Sequence, residues 1–370
     1  MKFVCAAIIL LITLSAGAQR MNFSRFSYAE GLNTYNIKKT VQDRYGFIWV
    51  ATQDGLYRFD GGRFEAFRKS GTAAVGLREN FIFDMSYPGG DELYLASFRG
   101  GIDRINVRTL EVTHCLPDPK RIDVDTHDLW ISKLTCDRFG NLWIGGKDYL
   151  AVSRAGKQGL VSLSDVVKSG SSEQMTFIKP VDSGIMAVGI ADKGVLLYDM
   201  ATLKLVALLD SLGPGIRVPE YQISDLLVHD GAVFIATNTT LVKGRIHNRR
   251  WIFERHIPLP GLSGAVITCM AADESGTIWL GTNSGLGSYK TGTGTFALLQ
   301  SDLYRKRWLE DNTINHLMID RHNNLWIATL KALQAVNLNP SSFTPYTGDH
   351  PGSDGMDHLY ALIARYGRAV

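Results

Sequence analysis

Four segments of the chain repeat one template. They are Asp43-Arg-Tyr-Gly-Phe-Ile-Trp49, Asp137-Arg-Phe-Gly-Asn-Leu-Trp143, Asp273-Glu-Ser-Gly-Thr-Ile-Trp279 and Asp320-Arg-His-Asn-Asn-Leu-Trp326. In each, the aspartate stands six residues before the tryptophan. Weaker copies fill the gaps, anchored at Tyr94, Ala187 and Phe234, and the spacings from Trp49 onward are 45, 49, 44, 47, 45 and 47. Two positions after each anchor stands a small residue: Ala51, Ala96, Gly145, Gly189, Ala236, Gly281 or Ala328. A period of this length, repeated seven times, is the size of one supersecondary unit that buries its apolar surface only by stacking on its neighbours.

Within a unit the apolar residues alternate, which is the strand period, and turn residues punctuate the run every few positions. An alternating stretch such as Ile314-Asn-His-Leu-Met-Ile-Asp320 comes first and the Trp strand second. A strand such as Gly55-Leu-Tyr-Arg-Phe-Asp60 is third, and an F-x-x-F or F-x-x-Y strand closes the unit, as at Phe64 to Phe67 and Phe343 to Tyr346. Four strands in 40–50 residues predict an all-β, seven-bladed propeller of four-stranded blades over residues 22–346. A pair of β-sandwiches would not reproduce one small position in every repeat. The 37 glycines among 370 residues then fall into place as turns and close-packing positions, against a usual share of roughly 7%.

The remaining composition excludes more than it assigns. Lys plus Arg number 39 against 36 Asp plus Glu, a formal +3 with no basic block, so nucleic acid is not an expected partner. Four cysteines make no disulfide scaffold, and nine scattered histidines form no H-E-x-x-H or H-x-H. No metal, cofactor or catalytic residue is expected. Residues 1–18 combine Lys2, an apolar run from Phe3 to Leu14 and a small-residue A-x-A site ending at Ala18, the pattern of a secretory leader. An N-terminal anchor is the alternative, although the run is short for a bilayer span. Cys115, Cys136 and Cys269 remain after export, an odd number that cannot pair completely.

The opening segment, from Tyr28-Ala-Glu-Gly31-Leu32-Asn33 through Asp43-Arg-Tyr-Gly46-Phe-Ile-Trp49 to Gly55-Leu56-Tyr-Arg-Phe-Asp60-Gly61, resembles the two-component regulator propeller repeats of bacterial periplasmic sensors. The match is specific in units 1, 3, 6 and 7 and degenerate in units 2, 4 and 5. The resemblance implies a periplasmic sensor region, often of hybrid histidine kinases, that reads a glycan or other small polar ligand and feeds a phosphorelay. It also implies partners: a second propeller, transmembrane kinase parts and a homodimeric arrangement. Near the carboxyl end, Ala364-Arg365-Tyr366-Gly367 aligns with Asp43-Arg44-Tyr45-Gly46, so residues 347–370 read as a linker and the start of an eighth, truncated blade.

Several residues are open to more than one reading. Asp43, Asp137, Asp273 and Asp320 could be calcium ligands, but a D-x-x-G setting suits a turn in which the carboxylate accepts backbone N–H bonds. Trp49, Tyr94, Trp143, Phe234, Trp279 and Trp326 could stack on sugars, but their fixed place in mid-strand suits a core. Ligand contacts are expected instead on the face carrying the turns between second and third strands. The candidates there are Asp54, Arg99, Lys147, Asp148, Asn238, Asn283 and Lys331, polar groups of both signs suited to a hydroxyl-rich ligand. Two other function classes stay open: a secreted propeller enzyme such as a polysaccharide lyase or glycosidase, and an extracellular protein-binding scaffold.

Overall fold

Each repeat folds into four antiparallel strands, and seven such sheets stand around one axis. The computed structural model describes residues 21, 23–69, 76–99, 101–115, 131–146, 149–157, 159–163, 175–218, 222–238, 240–262, 264–301 and 309–339. The leader, residues 340–370 with their expected linker and eighth blade, and Lys147 and Asp148 lie outside these. Blade 1 shows the pattern: an inner strand Ile37–Gln42, then Ile48–Thr52, Gly55–Phe59 and an outer strand Phe64–Phe67. The other inner strands are Ile82–Ser86, Ile131–Cys136, Met175–Pro180, Ile223–His229, Ile267–Ala272 and Ile314–Ile319, and each packs against the inner strands on both sides. A short hairpin, Ser211–Gly213 with Ile216–Arg217, is inserted between blades 4 and 5.

The repeated aspartate locks the turn that precedes the second strand. Asp137 accepts from the backbone N–H of Phe139 and of Asn141 with one oxygen, both at 2.9 Å, and from the Trp143 indole with the other, at 2.9 Å. Asp43, Asp273 and Asp320 repeat this arrangement, with indole bonds of 2.7, 3.0 and 2.8 Å from Trp49, Trp279 and Trp326. A buried carboxylate is tolerated only when its lone pairs are satisfied, and here the turn and the indole satisfy them together. The indoles in turn fill the seams between blades, with Trp49 and Trp143 fully enclosed.

The small position two residues on lies against inner-strand side chains. A Cβ on Gly281 would run into Cys269 Sγ and come within 2.8 Å of Ile314 on the next blade, so a larger residue would push neighbouring blades apart. Gly194 opens the third strand of blade 4 at φ 121°, and a Cβ there would strike the Leu209 carbonyl; only glycine meets both demands.

One feature departs from the sequence reading. The outer strand of blade 7, assigned above to Phe343–Tyr346, is supplied by Phe23–Phe26 from the other end of the chain. Phe23 pairs with Val336 and Phe26 with Leu333, antiparallel to the strand Leu333–Asn337. The ring is thus clasped by hydrogen bonds between its two ends. Phe26 stacks on Trp326 at 5.1 Å and meets Phe59 edge-on at 5.0 Å, joining blade 7 to blade 1.

Candidate functional site at the mouth of the axial channel

All seven inner strands are kinked at the same place. The pairing with the second strand shifts between the first and third residues, at Ile37/Lys39, Ile82/Asp84, Ile131/Lys133, Met175/Phe177, Ile223/Asp225, Ile267/Cys269 and Ile314/His316. A bulge re-aims side chains and leaves backbone groups unpaired, and these strands are sheet edges facing the axis. The third-position residue answers part of that need on the next blade. Asp84 accepts from Leu134 N at 2.8 Å, Asp225 from Met270 N at 2.8 Å, and His316 Nδ1 from Thr40 N at 3.4 Å.

The two aspartates bring buried charge, and each is matched: Lys39 Nζ lies 2.6 Å from Asp84 and Lys179 Nζ lies 2.6 Å from Asp225. Lys133, at the same level, has no carboxylate or hydrogen-bond partner among the described residues. Burial is the main cause that lowers its pKa, with Lys39 and Lys179 also lowering it against the opposing attraction of Asp84 and Asp225. Lys38 is lowered for the same reason, burial first and then repulsion from Lys133. The channel wall therefore carries an excess of positive charge.

His316 sits in that field. Burial, then Lys39, Lys179 and Lys133, push its pKa well below 6.5, so it is neutral with Nδ1 free to accept from Thr40. A histidine depressed in the folded state contributes stability that is present above pH 6.5 and is lost as pH falls below it, because the unfolded chain takes the proton first. His316→Gln is expected to flatten the fall of the melting temperature between pH 6.5 and about pH 5. Parallel curves for the two proteins would contradict the assignment.

The inner strands start on the face that carries the turns between second and third strands. On blade 2 this rim bears three half-buried aromatic rings. Phe81 and Phe83 stack at 4.4 Å, and Phe98 lies 6.1 and 5.9 Å from them. Lys38 Nζ stands 5.4 Å from the Phe81 ring and Arg99 lies 5.1 Å from Phe98. Arg99 is exposed, holds a left-handed φ of 55°, and follows a turn pinned by Phe98 N to Phe81 O at 2.8 Å. A fixed aromatic platform edged by two cations can hold a planar or ring-shaped ligand through its apolar face and an anionic or hydroxyl group through its edge.

The described sequence candidates stand on turns of five different blades, and Lys147 and Asp148 lie outside the described residues. Of the five, Arg99 belongs to this platform. Asp54 pairs with Arg68 at 3.0 Å on its own blade, and Asn283 accepts from Val266 N at 2.8 Å, tying its turn to the inner strand. The Asn238 backbone does the same by donating to Gln222 O at 2.8 Å. Lys331 stands exposed on blade 7, with no ion pair among the described residues. Reading by repeat position missed Lys38, Phe81, Phe83 and Lys133. The one available signal was the unusual Phe81-Ile-Phe83 opening of an inner strand whose counterparts all carry a polar residue at their second position.

The sequence model described as two component regulator propeller matches residues 261–284 and 309–331. Over 61 residues, 16% of this chain and 4% of the other, the chain is 36% identical to a protein named histidine kinase P4 from Formosa agariphila. Its fold is similar to two crystallised extracellular domains from B. thetaiotaomicron, described as belonging to hybrid two component systems. For BT3049 the TM-score is 0.70 at 17% identity, covering 88% of this chain and 43% of that one. For BT4673 it is 0.70 at 19%, covering 88% and 40%. At such identities the likeness is one of fold, and the chain spans less than half the length of either.

Proposed function

We propose that this chain, which carries two-component regulator propeller repeats, is the exported ligand-sensing ring of a two-component signalling protein, that its ligand is a glycan, and that it does no chemistry itself. The observation that carries this reading is the platform of Phe81, Phe83 and Phe98 with Lys38 and Arg99 at the channel mouth. Aromatic rings offer a flat apolar surface to the C–H faces of a sugar, and the two cations suit hydroxyl or carboxylate groups at its rim. The channel carboxylates Asp84 and Asp225 are both engaged by lysines and backbone N–H groups, which favours binding over acid–base work. In this reading the ring is periplasmic, and ligand binding alters its contacts with a second propeller or a dimer partner. Those contacts reach a transmembrane histidine kinase and its phosphorelay in a longer protein.

The test is calorimetric titration of the chain with a panel of plant and host oligosaccharides, with chromatography of each mixture for cleavage products. Binding without cleavage is expected. Phe98→Ala and Arg99→Ala should each weaken it about tenfold or more, a loss of about 1.4 kcal/mol, with the melting temperature nearly unchanged. Products in the mixture would mark an enzyme, and affinity indifferent to both substitutions would place the ligand elsewhere.

A further inference from the structure

We propose that the glycan is an extended chain and that Tyr35 is a second aromatic subsite for it beside the blade 2 platform; this rests on the sensing reading above. Tyr35 is 76% exposed, and nothing in the repeat asks for an aromatic ring there. It stands two residues before the inner strand of blade 1, where the described counterparts on blades 2, 6 and 7 are Asn80, Ala265 and Asn312. The ring is held out by a pinned backbone. Asn36, the next residue, keeps a left-handed φ of 54°, a conformation that asparagine accepts more readily than most. Its N–H donates to Leu330 O at 2.7 Å, and its amide donates to Gln53 Oε1 at 3.0 Å. Asn315 of blade 7 donates to the Ile37 carbonyl at 2.8 Å and fixes the strand start as well.

These bonds set Tyr35 in a continuous stretch of rim across blades 7, 1 and 2. On one side are the exposed Leu330 and Lys331 of blade 7. On the other, three residues further along the same chain, is Lys38, whose Nζ stands 5.4 Å from the Phe81 ring. Three residues span at most about 11 Å of chain, so Tyr35 and the platform lie within reach of one short oligosaccharide. Two aromatic surfaces on different blades take different units of a chain. The chemistry around Tyr35 points the same way. Its polar neighbours Asn33, Thr34, Asn36 and Gln53 are all uncharged. The Gln53 oxygen is engaged by Asn36, which leaves the Gln53 NH2 as a donor. A flat apolar ring fringed by amides and a hydroxyl matches a sugar unit better than it matches an acidic peptide or a lipid surface.

The experiment is calorimetric titration with xylo-, manno-, galacto- and galacturono-oligosaccharides, each from monosaccharide to hexasaccharide. Wild-type affinity is expected to rise about tenfold or more between the disaccharide and the hexasaccharide of the series that binds. Tyr35→Ala should remove that gain while leaving the affinity for the short members and the melting temperature nearly unchanged. Tyr35→Phe, which keeps the ring, should retain most of the gain, and Phe98→Ala should weaken every length. Tyr45→Ala, on a turn at the opposite face, should leave affinity unchanged at every length. Affinity indifferent to length, or a length gain that survives Tyr35→Ala, would overturn this inference and leave the sensing reading standing. No binding at any length by the wild type would remove both.

Discussion

Asp137→Ala is expected to destabilise the chain by about 3–5 kcal/mol, because it leaves several buried donors unsatisfied at once. The carboxylate organises four donors: the backbone N–H of Phe139 and Asn141, the Asn141 amide at 2.8 Å and the Trp143 indole. Alanine leaves the indole N–H unpaired in a fully enclosed position and releases the turn that sets the second strand. Asp137→Asn should cost about half as much, since one amide oxygen can still accept the two turn bonds while its NH2 faces the indole donor. Blade 4 supplies the internal control. There the exposed Asp182 caps a similar turn through Gly184 N at 2.6 Å and Ile185 N at 2.8 Å, but the anchor is Ala187 and no indole is involved. Asp182→Ala should cost only about 1 kcal/mol. Urea unfolding of the three variants measures the order, and equal losses for Asp137→Ala and Asp182→Ala would remove the indole bond from the account.

The second large effect is expected at the clasp. Phe26→Ala removes a ring that stacks on Trp326, meets Phe59 edge-on and lies 5.8 Å from Phe64, so it empties the seam between the last blade and the first. A loss of about 3–5 kcal/mol follows from the cavity and the lost contacts. The same substitution at Phe296, a half-buried ring on the outer strand of blade 6, should cost less than about 2 kcal/mol, because that ring is only partly withdrawn from water. Denaturant midpoints give both values. Limited proteolysis should cut Phe26→Ala faster, at the strand edges that an open ring exposes. A Phe26→Ala protein no less stable than Phe296→Ala would show that the clasp contributes little.

The parts of this fold that recur were legible in the sequence, and the parts that occur once were not. Asp-to-Trp spacing and the small position two residues on are imposed on several blades by one packing geometry, so seven copies reinforce each other. The clasp occurs once. Phe23-Ser-Arg-Phe26 carries the same F-x-x-F spacing as Phe64-Glu-Ala-Phe67, yet unit order assigned that role to the next such segment along the chain. The channel wall escapes for the opposite reason. Its third-position residues are Lys39, Asp84, Lys133, Phe177, Asp225, Cys269 and His316, alike in place and different in chemistry, so no template marks them. The face of the candidate site could be reasoned from strand order alone. The grouping of Phe81, Phe83 and Phe98 needed the bulge, which sequence period does not reveal.

The pairing of Phe23–Phe26 with Leu333–Asn337 also sets an order of events during synthesis. Every other blade is completed by residues close behind it and can form as the chain emerges. The strand that opens the ring precedes the other strands and must wait for its partner until nearly the whole propeller has followed. Until then blade 7 is missing, and the inner edges of blades 1 and 6 have no neighbour. Contacts so distant along the chain form slowly, and the open intermediate exposes the kind of edge that recruits other chains. Closure of the ring therefore waits on its most distant pairing.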